Sequence, residues 1–232
     1  MRSILRLSRH VLDALAPERC AACDATVAAD VLFCHACREA VNVLSPHTVR
    51  VAGLGGAIGS AGVAIASLTA FARYDAGADR GPVAAALQAF KYRNAFRLAP
   101  RLAAAMAACA PAGTEPPLVA PVPLHVRRLR GRGFNQSALL ARHVGRLRGW
   151  PVAVDLLVRV RDTPSQTALD VVARRTNVAG AFAVRRAEAA RKRHVLLVDD
   201  VWTSGATAQA IAELLRDAGV AAVDVLTFAR VV

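Results

Sequence analysis

Asp199 and Asp200 stand side by side in the stretch VLLVDDVWTSGAT, and the residues after them, Thr203, Ser204, Gly205, Ala206 and Thr207, are small or hydroxylic. Such residues build no core. Placed at the start of a helix they make an anion site, because the first backbone N–H groups lack intrahelical partners and the helix dipole is positive there. Two carboxylates beside a phosphate need a different partner. They accept hydrogen bonds from neutral hydroxyls, or they share a Mg2+ ion with the phosphate. A phosphorylated ribose offers both. No lysine follows the loop as in a Walker A site, and no G-x-G-x-x-G lies in this turn, so two common nucleotide motifs are excluded.

Two further groups have chemistry in their spacing. Cys20, Cys23, Cys34 and Cys37 form two C-x-x-C pairs separated by ten residues, the ligand set of a tetrahedral structural zinc site. Disulfides are the alternative. No signal peptide is evident, which points to the cytoplasm, where thiols stay reduced and bind metal. His35 lies between the last two cysteines as a bystander, and Cys109 stands apart in an Ala-rich helix. The other group is basic. Arg127, Arg128, Arg130 and Arg132 are interrupted by Gly131 and followed by Gly133, which predicts a mobile arginine-rich loop that grips a diphosphate or a nucleic-acid strand. Phe134 beside it is a candidate stacking ring. The polar run RDTPSQTALD, with Arg161, Thr163, Gln166 and Thr167, suits a lid that closes on a charged substrate.

The elements that hold these residues follow from periodicity. Val195–Val198 is a short apolar run with β-branched ends, suited to a parallel strand buried on both faces. Ile211, Leu214, Leu215 and Ala218 repeat at helical spacing up to Gly219, and Val220–Phe228 is a second strand. Upstream, helical patterns cover Pro82–Tyr92 and Phe96–Ala110, with Lys91, Arg93, Arg97 and Arg101 expected on a solvated face. Leu118–Val122 reads as a strand, Gln136–Arg148 as a helix, and Val152–Val160 as a strand. Residues 1–16 read as an amphipathic docking helix in preference to a targeting peptide, which predicts an N-terminal module at 1–50. A Gly/Ala linker at 51–62 then opens a second domain at 63–232. Val51–Ala72 carries no charge, but five glycines weaken it too much for a membrane span.

At 232 residues and 55% hydrophobic content the chain has ample core. Its formal charge is +13, from 30 bases of which 28 are Arg. Residues 120–194 hold 16 bases and 4 acids, a net +12, so the excess lies in the segment that leads into the acid pair. Such a field attracts polyanions.

The order of the cysteine pairs, FKYRN, PVPLHVRRLRGRGFNQ, RDTPSQTALD with RRTNVAGAF, and VLLVDDVWTSGAT resembles the ComF family of competence-associated, phosphoribosyltransferase-like proteins. The VLLVDDVWTSGAT stretch itself is similar to the phosphoribosyl-diphosphate motif of type I phosphoribosyltransferases. The resemblance implies an open parallel sheet with helices on both faces and a small N-terminal zinc module resembling a double zinc ribbon. It implies that Asp199 and Asp200 hold ribose hydroxyls and Mg2+, and that Thr203–Thr207 bind the 5′-phosphate. Pro121–His125 with the arginines after it would match the diphosphate loop, and residues 161–167 the flexible loop. The family is associated with uptake of single-stranded DNA in natural transformation, so DNA and uptake-machinery proteins are implied partners. One departure is visible. A transferase holds its attacking base under a hood, and the chain offers only the N-terminal module for that role. Two functions stay open, a phosphoribosyltransferase and a single-stranded nucleic-acid-binding accessory that keeps the fold.

Overall fold

A computed structural model of the chain describes residues 17–44, 49–50, 64–75, 81–92, 96–111, 113, 115–162 and 180–232. The helix expected over residues 1–16 and the linker over 51–62 lie outside them. A five-stranded sheet runs in the order β1 (Val49–Arg50), β2 (Ser67–Arg73), β7 (Ala222–Arg230), β6 (His194–Trp202), β3 (Leu118–Pro121). β1 joins antiparallel; the other pairings are parallel. Val195–Val198 therefore lies inside the sheet, flanked by β7 and β3, and its four apolar side chains are fully buried, as a strand covered on both faces requires.

The pleat sends alternate residues to two cores. Leu196 and Val198 pack with Phe90 of α2 (Pro82–Tyr92), Leu102 and Met106 of α3 (Ala99–Cys109), and Leu140 and Val144 of α5 (Gln136–Arg148). Val195 and Leu197 pack on the other face with Ile211 and Leu215 of α7 (Ala206–Asp217) and with Ala190 of the short α6 (Ala187–Ala190). This is the open, mostly parallel sheet with helices on both faces that the residue patterns and the resemblance imply.

One expected strand is broken. Val152 makes a single parallel bridge to Val119; the chain then turns at Val154–Asp155, and only Leu157–Arg159 (β4) is extended, pairing antiparallel with Phe182–Val184 (β5) in a separate two-stranded sheet. Buried Leu156, just after the turn, anchors the chain where it leaves the main sheet.

The amino ends of three strands are tied by one carboxylate. Asp224 accepts from Ser67 Oγ at 2.5 Å and pairs with His194 Nε2 at 2.7 Å. The Asp224 hydrogen bond outweighs burial and raises the His194 pKa above its usual value. Stability from the charged imidazole is thus fully present below the unfolded value of about 6.5 and is lost as pH rises through the higher folded value. His194 is partly exposed, so the effect is modest. His194→Gln should lower the melting temperature by roughly 2–4 °C at pH 5.5 and by clearly less at pH 9. Equal shifts at both pH values in thermal melts would show that the pair contributes only as a neutral hydrogen bond.

Candidate sugar-phosphate site and zinc module

The acid pair sits where β6 outruns its neighbour. β3 ends at Pro121, paired with Val198, while β6 continues to Trp202. The start of α5 fills the gap beside Asp199. Asn135 caps this helix, its Oδ1 accepting from Ser137 N at 3.0 Å and Ala138 N at 3.4 Å, and its Nδ2 donates to Val122 O at 3.1 Å. So anchored, Ser137 Oγ donates to Asp199 Oδ1 at 2.8 Å, and Asp200 N donates to the same oxygen at 2.9 Å.

Asp200 turns toward the α2 layer and forms an ion pair with Lys91 through Oδ2. The side chains are only 22% and 11% exposed, so this pair is shielded from water. Lys91 was expected on a solvated face, and the structure corrects that. Its aliphatic stem crosses the helix layer and delivers the ammonium to the sheet edge. Burial lowers the Lys91 pKa, but the charge and hydrogen bond of Asp200 together with the charge of Asp199 more than offset it, and the net shift is upward. Asp199 is pushed up to about 7 by burial and by the neighbouring Asp200 charge, against the hydrogen bonds from Ser137 and Asp200 N–H. Asp199 therefore takes up a proton more readily than a free carboxylate, and the Lys91 ammonium balances charge beside it, which lessens the repulsion of a nearby phosphate. Each acid commits one oxygen to these contacts. Asp199 Oδ2 and Asp200 Oδ1 remain as acceptors with no hydrogen bond among the described residues.

Thr203–Gly205 then turn the chain into α7. Gly205 has φ +74°, and a Cβ there would lie 2.3 Å from the buried Trp202 ring, so only glycine fits. Thr203 is exposed, Ser204 is half-buried with its Oγ accepting from Ala206 N at 3.5 Å, Ala206 is buried and Thr207 half-buried.

The arginine segment is a helix, not a mobile loop. α4 (Val126–Arg132) is capped by His125 Nδ1, which accepts from Arg127 N at 3.4 Å. It is closed by Gly133 at φ +80°, whose N–H donates to Leu129 O at 2.8 Å. Gly133 is thus a C-terminal stop, and Gly131 sits in the last turn before it, where its flexibility costs little. Arg127 and Arg130 are exposed, Arg128 and Arg132 half-buried. The Arg132 guanidinium stacks 5.0 Å from the centre of the exposed Tyr92 ring. Phe134 faces inward against Phe90 at 5.9 Å and is no stacking surface for a base. Asp162 ties α4 to the start of the polar run through His125 at 3.4 Å and Arg127 at 3.6 Å. Arg161 is exposed; Thr163, Gln166 and Thr167 lie outside the described residues.

Sequence reasoning missed Lys91, Asn135, Ser137 and Arg159. Arg159 of β4 packs over Phe182 at 5.4 Å, and burial with the charge of Arg128 lowers its pKa while Asp162 and Asp199 act oppositely. Lys91 and Asn135 fall within FKYRN and PVPLHVRRLRGRGFNQ, two of the segments that carry the family resemblance, and that was the usable signal.

The four cysteine sulfurs lie within 4.8 Å of one another, with Cys23 and Cys34 3.6 Å apart. Zn–S bonds of about 2.3 Å in a tetrahedron need S···S edges of about 3.8 Å, and the cluster fits. The first knuckle turns at Asp24, φ +64°, with Cys20 N donating to Ala25 O at 2.7 Å; Cys34 N donates to Cys20 Sγ at 3.3 Å. Burial would raise the Cys20 thiol, yet backbone N–H groups of Cys23, Cys34 and Ala22 bring it down to about 6, favouring the thiolate that zinc binds. α1 (His35–Glu39) follows, and His35 points to Glu39 at 3.6 Å, outside the sulfur cluster.

Arg101 joins this module to α3. Expected on the solvated face, it is 8% exposed; Nη1 donates to Arg19 O at 3.0 Å and Val31 O at 2.7 Å, and Nη2 to Glu18 at 2.9 Å. The reason is that the module presents carbonyls where water was assumed. Arg97 is exposed as expected, and Arg93 lies outside the described residues.

Fold and edge together define an open α/β-sheet protein whose acid pair and hydroxyl turn lie at the carboxyl end of an inner strand, with a four-cysteine zinc module packed on the α2–α3 helix layer. Residues 11–54 match the double zinc ribbon domain family. Competence protein F of Haemophilus influenzae is 34% identical over 157 residues, covering 64% of this chain and 68% of that protein. The chain belongs to the ComF family. DNA utilization protein YhgH of Escherichia coli K12 is 38% identical over 115 residues, half of each chain. The crystal structure of TT1426 from Thermus thermophilus overlaps 56% of this chain and 82% of that one, with a TM-score of 0.34 and 20% identity. Among the described residues no helix is long and apolar enough to cross a membrane.

Proposed function

We propose that this protein serves DNA uptake or utilization and binds a phosphorylated ribose, ribose 5-phosphate or phosphoribosyl diphosphate with Mg2+, at the carboxyl edge of β6. The carrying observation is the pairing of two carboxylate acceptors with a hydroxyl turn and helix start in consecutive residues 199–207. Asp199 Oδ2 and Asp200 Oδ1 would accept the sugar hydroxyls, and Ser204, Gly205 and Thr207 with the first N–H groups of α7 would take the phosphate. In a transferase, an attacking base would bond to ribose C1 as the C1–O bond to diphosphate breaks; Arg side chains of α4 and Arg159 would take up the charge developing on the leaving diphosphate, and Mg2+ brought with it would supply further neutralisation. The names of the two relatives support the cellular role.

Calorimetry tests the site. Asp199→Asn with Asp200→Asn should weaken phosphoribosyl diphosphate roughly tenfold or more while inorganic phosphate binding stays nearly unchanged, because the anion uses backbone N–H groups. Equal loss for both ligands would mean the acids only support the loop. Turnover with a panel of bases decides between transferase and binding protein.

A second reading rests on Arg127 and Arg130, exposed together on α4. They can hold a single-stranded DNA backbone, and uptake-machinery proteins would then act on the same strand. Converting both to Gln should flatten the log affinity against log salt by about 1.4, at roughly 0.7 per phosphate for single strands. An unchanged slope removes α4 from the DNA interface.

A further inference from the structure

The acid pair is already supplied with a cation. Lys91 contacts Asp200 Oδ2, and Ser137 Oγ and Asp200 N occupy Asp199 Oδ1. A Mg2+ ion demands a near-octahedral set of oxygens, and binding it through Asp200 Oδ2 would require the ammonium to leave. Among the described residues, the only cluster of three or more metal-ligating groups is the four cysteines.

Resting on the sugar-phosphate reading above, we infer that Lys91 stands in for a divalent cation at the acid pair. The pair then receives sugar hydroxyls without Mg2+, and the metal reaches the site only as part of a diphosphate-bearing ligand. Neutralisation from inside has a chemical logic. An ammonium fixed to Asp200 Oδ2 leaves the outward oxygens as hydrogen-bond acceptors, whereas a coordinated metal would consume them. Asp200 is thereby a positioned acceptor and Lys91 its positioning residue. The two also lock α2 to the end of β6, so the edge is organised before ligand arrives.

Calorimetry with ribose 5-phosphate, in EDTA and in Mg2+, tests this on the full-length protein. Wild type should bind with affinities agreeing within about twofold, because ligand and metal are uncoupled there. Lys91→Met should bind roughly tenfold more weakly in EDTA and recover in Mg2+, since the emptied position then admits the ion. Lys91→Arg should stay metal-independent. A wild-type requirement for Mg2+, or a Lys91→Met protein as indifferent to metal as wild type, overturns the inference. Should Lys91→Met fail to fold, Mg2+ alone is titrated into wild type and Asp200→Asn; binding seen in the first and absent in the second also overturns it. Failure of the underlying reading looks different, with ribose 5-phosphate silent in both buffers.

Discussion

Replacing Lys91 by methionine should destabilise the fold by about 3–5 kcal/mol, the typical cost of leaving a buried charge without its partner. Methionine keeps most of the aliphatic volume, so the loss isolates the charge. At roughly 2–4 °C per kcal/mol for a chain of this size, the melting temperature should fall by about 6 °C or more. Adding Asp200→Asn should restore most of the loss, because the amide needs no counter-ion. The resulting coupling energy measures the pair itself. Denaturant titration of the four proteins supplies the cycle. A single-mutant loss below about 1 kcal/mol would show the pair to be a solvated contact.

Removing the metal should have an equal or larger effect. Purified protein is expected to carry near-stoichiometric zinc, lost in the Cys20→Ser plus Cys37→Ser protein. Apparent zinc binding to structural thiolate sites runs to about 10–16 kcal/mol, and in so small a module most of that is folding energy. Among the described residues the module's own fully shielded apolar groups are few, Cys20, Ala21, Phe33 and Val41, and all of them pack into the α2–α3 core. Loss of the knuckle therefore also strips Arg101 of two carbonyls and Glu18, leaving a buried guanidinium unpaired. Chelation followed by circular dichroism and melting should show a lower transition for the whole protein. A metal-free protein joined by disulfides, with the same melting temperature, would refute the zinc assignment.

Much of the site was legible because it is contiguous. Strand, acids, hydroxyl turn and helix follow one another over residues 195–218, so composition and period alone place them on one edge. The cysteine spacing is equally local. What escaped was side-chain reach. Lys91 and Arg101 occupy polar positions of amphipathic helices, and nothing in a helical period says whether such a position meets water or another element's carboxylate or carbonyl. Their partners lie in β6 and in the zinc module, far away in sequence. The arginine segment was misread for a different reason. Its glycines were counted as breakers, although His125 and Gly133 are a start and a stop at the right separation for two turns of helix. Val152–Val160 failed because an apolar run carries no mark of where the chain leaves one sheet for another.

The order of the strands also sets a schedule for folding. β7, the latest strand in the sequence, lies between β2 and β6 and pairs with both, joining Ser67 to Asp224. During synthesis β2 and the α2–α3 helices emerge long before the strand that must cover their neighbour, so the sheet cannot zip progressively from the N-terminus. Contacts of such wide separation make the search slow, and β2 and β6 present open edges until β7 inserts. A ribosome-stalled chain lacking residues 222–230 would thus expose two strand edges at once, the condition under which chaperone capture or aggregation competes with native pairing.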